Sequence, residues 1–476
     1  MCGIVAIIGN HKESDCLDAL SRIKHRGLDN SKIYNSYLFS LGFNRLVIND
    51  KTENGMQPFE FEYLVGAFNG EIFNSIALAK EYGITLHSKS DIEIILPLYK
   101  IIGTDIINVL DGFYSGIIYN NETNKIFTIR DYIGKKPLFY GNAEKIEFVC
   151  SELKSFDKIE SFEFIPKGFS EIINQKVLSL KKHSFPLTEK SSLKKSIIDS
   201  TLKRIPLNDE KVGVFLSGGL DSSIIASILS KHSTDAIYYT LGNRENEDIG
   251  FVKLLINHLQ IENQISYIPL PNKEEIGKLI EQVVYHTESY NPSIISNGLA
   301  TYLLSKSAKN DKLKVVISGE GADEFFCGYK ISNDISEARE KSVVLIENLH
   351  YTELRRLDLS SMANTIEIRC PFLDKEVYAI SKDLPLKDLK EKQILRNLFT
   401  SDLPKEITER QKTSFDVGTG IRKLVVEYLT KDNTTERETL KEIWCKFFDK
   451  NIADNDYYHK YPVFDKAITK RGISHK

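Results

Sequence analysis

Two hydrophobic rhythms divide this chain. Up to about residue 180 the apolar runs are short and strand-sized. The first, Ile4 to Ile8, is bounded by Gly3 and Gly9, and another follows Arg45 as Leu46-Val47-Ile48. Residues 181–192 lose this patterning and turn polar and basic, which places a domain boundary there. Beyond it the rhythm changes. Residues 193–202 read as an amphipathic helix. A strand-like run at 212–216 ends in a polar, glycine-rich turn, and a helical pattern begins at Ile224. Strands are then predicted at 236–241, 264–269 and 314–317, and helices at 249–259, 274–290 and 296–309. That alternation predicts a parallel sheet covered on both faces, with ligands at the carboxyl ends of its strands.

Composition adds little beyond size and compartment. The 476 residues exceed what one ordinary core holds, so two domains are expected, at 2–180 and 193–476. The net charge of −3 gives no case for nucleic-acid or anionic-membrane binding. No apolar run reaches transmembrane length, and no charged-then-apolar leader opens the chain. Six scattered cysteines without a C-x-x-C pair argue against a disulfide framework or a zinc site and for a reducing cytoplasm.

The turn after the strand at 212–216 carries the clearest chemistry. Ser217-Gly218-Gly219-Leu220-Asp221-Ser222-Ser223 follows an apolar strand and opens a helix. Glycines let backbone amides approach an oxyanion, and the helix points its positive end at the same place. The Gly-Lys-Ser/Thr ending of a Walker A loop is missing. Asp221 would repel a phosphate unless a cation lay between them, so Mg²⁺ bridging to a nucleotide is expected. The plainer reading is a capped strand-to-helix turn. The string resembles the pyrophosphatase loop of synthetases that split ATP into AMP and pyrophosphate.

The amino terminus offers a second chemistry. Were Met1 removed, Cys2 would carry a thiol beside an α-amine whose ordinary pKa is about 7.7–8.0, so the nucleophile would bring its own base. The alternative is a buried cysteine that starts a strand. Asn69-Gly70 reads either as a hairpin turn or as a side-chain amide and an unhindered N–H suited to an oxyanion hole. Asp91 reads either as a helix cap or as a carboxylate facing a ligand amine.

With His25-Arg26-Gly27-Leu28-Asp29, Gln57-Pro58, Arg130-Asp131 and Ser151-Glu152-Leu153-Lys154, these stretches resemble the glutamine amidotransferases of the amino-terminal-cysteine type. The resemblance implies an αββα sandwich of the N-terminal-nucleophile kind. It implies Cys2 as nucleophile and Asn69 and Gly70 as oxyanion hole. Arg45 would hold the glutamine carboxylate, Glu71 and Asp91 its ammonium, and the Leu46-Val47-Ile48-Asn49 backbone would line the pocket. Leu28 stands where that family usually has Pro, which leaves the turn less restricted.

A second acidic turn, Ser318-Gly319-Glu320-Gly321-Ala322-Asp323-Glu324, also follows an apolar strand, so Asp221 and Asp323 are positioned to share Mg²⁺ on a pyrophosphate. A capped glycine-rich turn is the plainer reading. The two halves in this order resemble the glutamine-hydrolysing asparagine synthetases, and the segments 358–374, 391–396 and 410–412 agree. The resemblance implies an α+β domain followed by an α/β, parallel-sheet ATP-pyrophosphatase domain of the adenine nucleotide α-hydrolase-like kind. It assigns ATP contacts to Leu216, Leu241 and Ser318-Gly319 beside the first loop. Glu320 becomes an acid for the reaction of the adenylate with ammonia, and Arg396 and Lys412 become phosphate neutralisers. The substrates implied are glutamine, ATP and aspartate, with ammonia passing through the protein, and a homodimer is left open. Cys327 replaces a common Gly, and past Phe415 little of the family pattern remains. The rival readings are another acceptor carboxylate, such as a sugar uronic acid or a secondary-metabolite precursor, and a non-catalytic binding regulator. A β-lactam-forming relative is disfavoured by the leading Cys2.

Overall fold

The structure, a computed structural model, describes residues 2–185, 192–207, 211–232, 235–243, 246–430 and 434–449. The chain folds as two compact units that part between Phe185 and Ser192, and residues 445–449 group with the first unit. Among the described residues no helix is long and apolar enough to cross a membrane.

The first unit contains twelve strands: β1 (Gly3–Ile8), β2 (Asn30–Ser36), β3 (Phe39–Arg45), β4 (Phe59–Phe61), β5 (Leu64–Ile72), β6 (Gly112–Asn120), β7 (Lys125–Arg130), β8 (Phe139–Ala143), β9 (Ile146–Cys150), β10 (Ile159–Phe164), β11 (Gly168–Ile173) and β12 (Lys176–Lys181). They form two six-stranded sheets, ordered β10-β8-β9-β1-β3-β2 and β12-β11-β7-β6-β5-β4, with every pairing antiparallel.

Side chains alternate across a strand, so each buried strand serves two layers. Ile4 and Ala6 of β1, Leu41 and Phe43 of β3, and Val65 and Ala67 of β5 form the core between the sheets. Leu64, Phe68 and Ile72 of β5 face the other way, into a core shared with Ile95, Leu96 and Leu98 of the helix Ile95–Ile102. On the far side, Cys16 and Leu20 of the helix Glu13–Arg22 lie against Gly42 of β3. The result is the helix–sheet–sheet–helix layering expected from the sequence.

The second unit has one parallel sheet: β13 (Val212–Phe215), β14 (Ala236–Leu241), β15 (Ile265–Ile268), β16 (Val315–Ile317) and β17 (Glu367–Arg369), ordered β15-β14-β13-β16-β17. The helices Glu247–Leu259, Ile276–Thr287 and Pro292–Asn310 are the crossovers that the alternation predicts. Successive strands are laid outward to one side of β13 and then to the other. The order reverses between β13 and β16, where open α/β sheets bind their ligands. β17 was not predicted as a strand. Its three residues sit at the sheet edge, with Arg369 Nε donating to Glu367 Oε1 at 2.6 Å.

Candidate active sites

In the first unit strand parity brings the predicted residues together. Asn69 and Glu71 follow Val65 and Ala67 on the inter-sheet face of β5, and Cys2 precedes Ile4 and Ala6 on the facing sheet. The Cys2 backbone nitrogen donates to Asn69 Oδ1 at 2.9 Å. That bond turns the amide so that Nδ2, buried and with no acceptor among the described residues, is left to donate elsewhere. Gly70 has φ +154°, and a Cβ there would lie 2.0 Å from the Phe113 carbonyl, so only glycine fits. Asn69 and Gly70 pair with Ser115 and Tyr114 in mid-strand, which removes the hairpin reading.

A buried ionic cluster holds Cys2 from the other side. Arg26 Nε donates to the Cys2 carbonyl at 3.0 Å, and its Nη1 donates to Glu152 Oε1 at 2.5 Å. Glu152 also takes His25 Nε2 at 2.9 Å and the Lys154 ammonium. Burial opposes the Glu152 charge, but Lys154, His25 and Arg26 override it and hold the carboxyl well below its ordinary range. Nothing local in the sequence joins Arg26 to Glu152, 126 residues apart.

Asp91 does not cap its own short helix. One carboxylate oxygen accepts the Ile72 N–H at 2.5 Å, and the other accepts Asn49 Nδ2 at 3.3 Å, an amide that also donates to Glu71 Oε1 at 2.6 Å. Burial, and then the charge of Glu71, push the Asp91 carboxyl well above its ordinary value. Two carboxylates around one amide suit a cationic ligand group. Arg45, buried at the end of β3, donates to the carbonyls of Thr52 at 2.7 Å and Asp50 at 2.6 Å. The following residues are fixed where Val47 N donates to Asp29 Oδ2 at 2.7 Å. Leu28 is half exposed, so the replaced proline lies outside the core.

In the second unit β13 and β16 are neighbours, so their carboxyl-end turns abut. A Cβ at Gly319 would lie 2.8 Å from Asp221 Cβ. Gly218, at φ +66°, packs so closely on the helix Glu247–Leu259 that a Cβ would meet Val252 N at 2.8 Å. Ser222 Oγ donates to the Gly219 carbonyl at 3.1 Å and accepts Ser217 N at 3.3 Å, which tightens the loop, while Ser223 is buried beneath it. Leu216 and Leu241 lie buried at adjacent strand ends, where Leu216 N donates to Tyr239 O at 2.8 Å. Ser318 N donates to Arg369 O at 3.0 Å.

Asp221 and Asp323 are joined by a lysine that the sequence reading gave no role. Lys392 Nζ is 2.5 Å from Asp221 Oδ2 and 2.6 Å from Asp323 Oδ1, and Lys412 Nζ is 2.6 Å from Asp323 Oδ2. Burial raises Asp221 despite Lys392. At Asp323 the two lysines outweigh burial and hold the carboxyl at about 2. Asp221 Oδ1 is buried and accepts no hydrogen bond among the described residues. Among those residues no three metal-binding side chains converge. Two carboxylates, with Asp221 Oδ1 left to accept, suit Mg²⁺, which takes one or two carboxylates and completes its shell with phosphate and water.

Among the described residues Arg396 makes no ion pair with either aspartate. Its guanidinium donates to the Glu391 and Thr408 carbonyls, so it holds the segments that carry Lys392 and Lys412. Glu320 accepts Arg356 Nη2 at 2.5 Å, and Arg356 also donates to Glu353 Oε2 and Thr301 Oγ1, each at 2.8 Å. Arg356 was missed; a cation within the buried helix Glu353–Met362 was the available signal. Burial, then the charges of Asp323 and Glu320, push Glu324 up to about 8, and Tyr329 OH donates to it at 2.8 Å. Cys327 has φ +48°, a conformation that glycine adopts freely, and its buried thiol accepts Ser342 Oγ at 3.5 Å.

The segment after Arg410 belongs to this site. Arg410 stacks 4.1 Å from the Phe251 ring, donates to the Ser217 carbonyl at 3.1 Å and pairs with Asp248. A Cβ at Gly418 would lie 2.4 Å from Asp248 Oδ1, and Asp416 Oδ2 accepts Ser296 Oγ at 2.8 Å. Farther on, Trp444 is fully buried with its ring 5.7 Å from that of Tyr290. Residues 450–476 lie outside the described residues.

Comparison with known proteins adds the following. A glutamine amidotransferase domain matches residues 1–191, and an asparagine synthase domain matches residues 192–345 and 331–461. A glutamine-hydrolysing asparagine synthetase of Sandersonia aurantiaca is 32% identical over 464 residues, covering 88% of this chain and 87% of the relative. One from Arabidopsis thaliana is 32% identical over 466 residues, covering 88% and 78%. One from Bos taurus is 31% identical over 482 residues, covering 88% and 84%.

Proposed function

The chain belongs to the asparagine synthetase family, and on that premise we propose that it is a glutamine-dependent ligase that converts aspartate to asparagine while splitting ATP into AMP and pyrophosphate. The observation that carries this reading is the bridging of the Asp221 and Asp323 carboxylates, from two abutting glycine turns, by Lys392. A carboxylate is a poor acylating agent, and these turns are placed to receive the polyphosphate that activates it.

At the first site the Cys2 thiol attacks the side-chain amide of glutamine, and the α-amine freed by loss of Met1 takes its proton. Asn69 Nδ2 and the Gly70 N–H receive the oxyanion. Glu71 and Asp91 hold the ammonium of glutamine, whose positive charge favours the charged form of Asp91. Arg45 holds the carboxylate. Ammonia leaves, and water releases glutamate from the thioester.

At the second site the aspartate side-chain carboxylate attacks the α-phosphorus of ATP, forming an aspartyl adenylate and releasing pyrophosphate. Asp221 and Asp323 would hold Mg²⁺, which when bound offsets the charge of the phosphates. Lys392 and Lys412 turn toward the pyrophosphate. Glu320, held by Arg356, is the acid assigned to the step in which ammonia displaces AMP from the acyl carbon. Assaying AMP release against aspartate, glutamate and a uronic acid tests the acceptor. Aspartate alone is expected to support glutamine-dependent AMP release, and release driven by the uronic acid but not by aspartate would overturn the assignment.

A further inference from the structure

We propose that Lys392 is the built-in counter-cation of the Asp221–Asp323 pair, so that a divalent ion enters this site only together with a polyphosphate. The inference rests on the reading of these carboxylates as the metal-nucleotide site. Two carboxylates meet two ammonium groups, Lys392 between them and Lys412 beyond Asp323, so the pair is already neutralised by the protein.

The lysine is built into the fold rather than adventitious. Its side chain is 4% exposed, its backbone has φ +61°, and its N–H donates to the Phe326 carbonyl at 3.2 Å. Its stem fills the place of a side chain at Gly328, where a Cβ would lie 2.2 Å from Lys392 Cε and 2.1 Å from Asp323 Oδ1. A lone divalent ion would have to shed water, which Mg²⁺ does reluctantly, and would leave a buried ammonium without a partner. A polyphosphate removes both obstacles. It supplies ligands to the ion and new acceptors to both lysines, whose flexible stems permit the exchange. Lys392 thereby makes occupancy of the metal site conditional on the nucleotide.

The test is a Mn²⁺ titration of the full chain, with and without inorganic pyrophosphate, in which protein-bound Mn²⁺ is separated by ultrafiltration, quantified by electron paramagnetic resonance after acid release and read against protein-free controls. The parental protein should bind Mn²⁺ tightly only when pyrophosphate is present. Lys392→Met should bind Mn²⁺ alone at least tenfold more tightly than the parent, and adding Asp323→Asn should abolish that gain. Equal binding of Mn²⁺ alone by parent and Lys392→Met overturns the proposal, as does a gain that survives Asp323→Asn. Should Lys392→Met fail to fold, by circular dichroism, the parental arms decide: tight Mn²⁺ binding without pyrophosphate overturns it. Absence of binding even with pyrophosphate would instead remove the metal-site reading on which the inference stands.

Discussion

The two candidate sites are built on opposite plans. The oxyanion hole of the glutamine site sits on the middle of a strand and is aligned by a neutral hydrogen bond, Cys2 N to Asn69 Oδ1. The site's ionic cluster, around Glu152, reaches the nucleophile's backbone through Arg26. The nucleotide site sits on two loops at strand ends and is held by ion pairs through Lys392 and Lys412. A neutral amide calls for an oxyanion hole set before the substrate arrives, and strand backbone is rigid enough to supply it. A polyanion calls for movable charge that can change partners.

Breaking one site without the other gives the largest expected effects. Asp323→Asn should abolish amide synthesis from both glutamine and added ammonia while glutaminase activity persists. Cys2→Ala should abolish glutamine use yet keep ammonia-dependent synthesis. Parallel assays with the two nitrogen donors check both, and glutamine use by Cys2→Ala at the parental rate would remove the nucleophile assignment.

Asn69→Ala comes next. Loss of one oxyanion donor should lower the glutaminase kcat by about 10²–10³-fold with a smaller change in KM. Steady-state kinetics decide, and a pure KM effect would speak for glutamine binding instead.

Glu152→Gln sharpens the comparison through pH. Because the carboxyl is held low in the folded state, its stabilisation is complete above the free-glutamate value of about 4.3. It is lost as pH falls from there toward the depressed value. The variant should be destabilised by ~3 kcal/mol at neutral pH, since two buried cations, Arg26 and Lys154, lose their partner. Its thermal stability should also change less than the parent's as pH drops below 4. Matching profiles for variant and parent would exclude the ionic role of Glu152.

The smallest effect concerns Leu28→Pro. Gly27 is already extended, with φ −156° and ψ 104°, as a residue before proline prefers. A gain of about 0.5 kcal/mol is expected from a stiffer unfolded chain, with glutaminase rates unchanged. Chemical denaturation measures it.

How much could be read in advance depended on range. The turns at 217–223 and 318–324 were legible because glycine and polar punctuation after an apolar strand is a local signal. The βαβ rhythm in turn placed the two turns on one sheet edge. Asn69-Gly70 was ambiguous because a hairpin and a mid-strand pair share the same dipeptide, and only the partner strand β6 distinguishes them. Asp91 was ambiguous because capping a helix and bonding Ile72 use the same carboxylate. The position of Arg396 on the chain gave no hint that it would also donate to the carbonyls of Glu391 and Thr408.

The amino-acid order by itself determined the strand and helix rhythms, the division near residues 181–192, the two acidic glycine turns and the thiol at position 2. All of these are written in neighbouring residues, whose backbone preferences and periodicity act over a few positions. Only the tertiary structure decided that Lys392 bridges Asp221 and Asp323, that Arg26 and Glu152 clamp Cys2, and that Arg356 orients Glu320. Those pairings join residues far apart in sequence, and a charged side chain selects its partner only after the backbone has brought the candidates together and excluded water from between them.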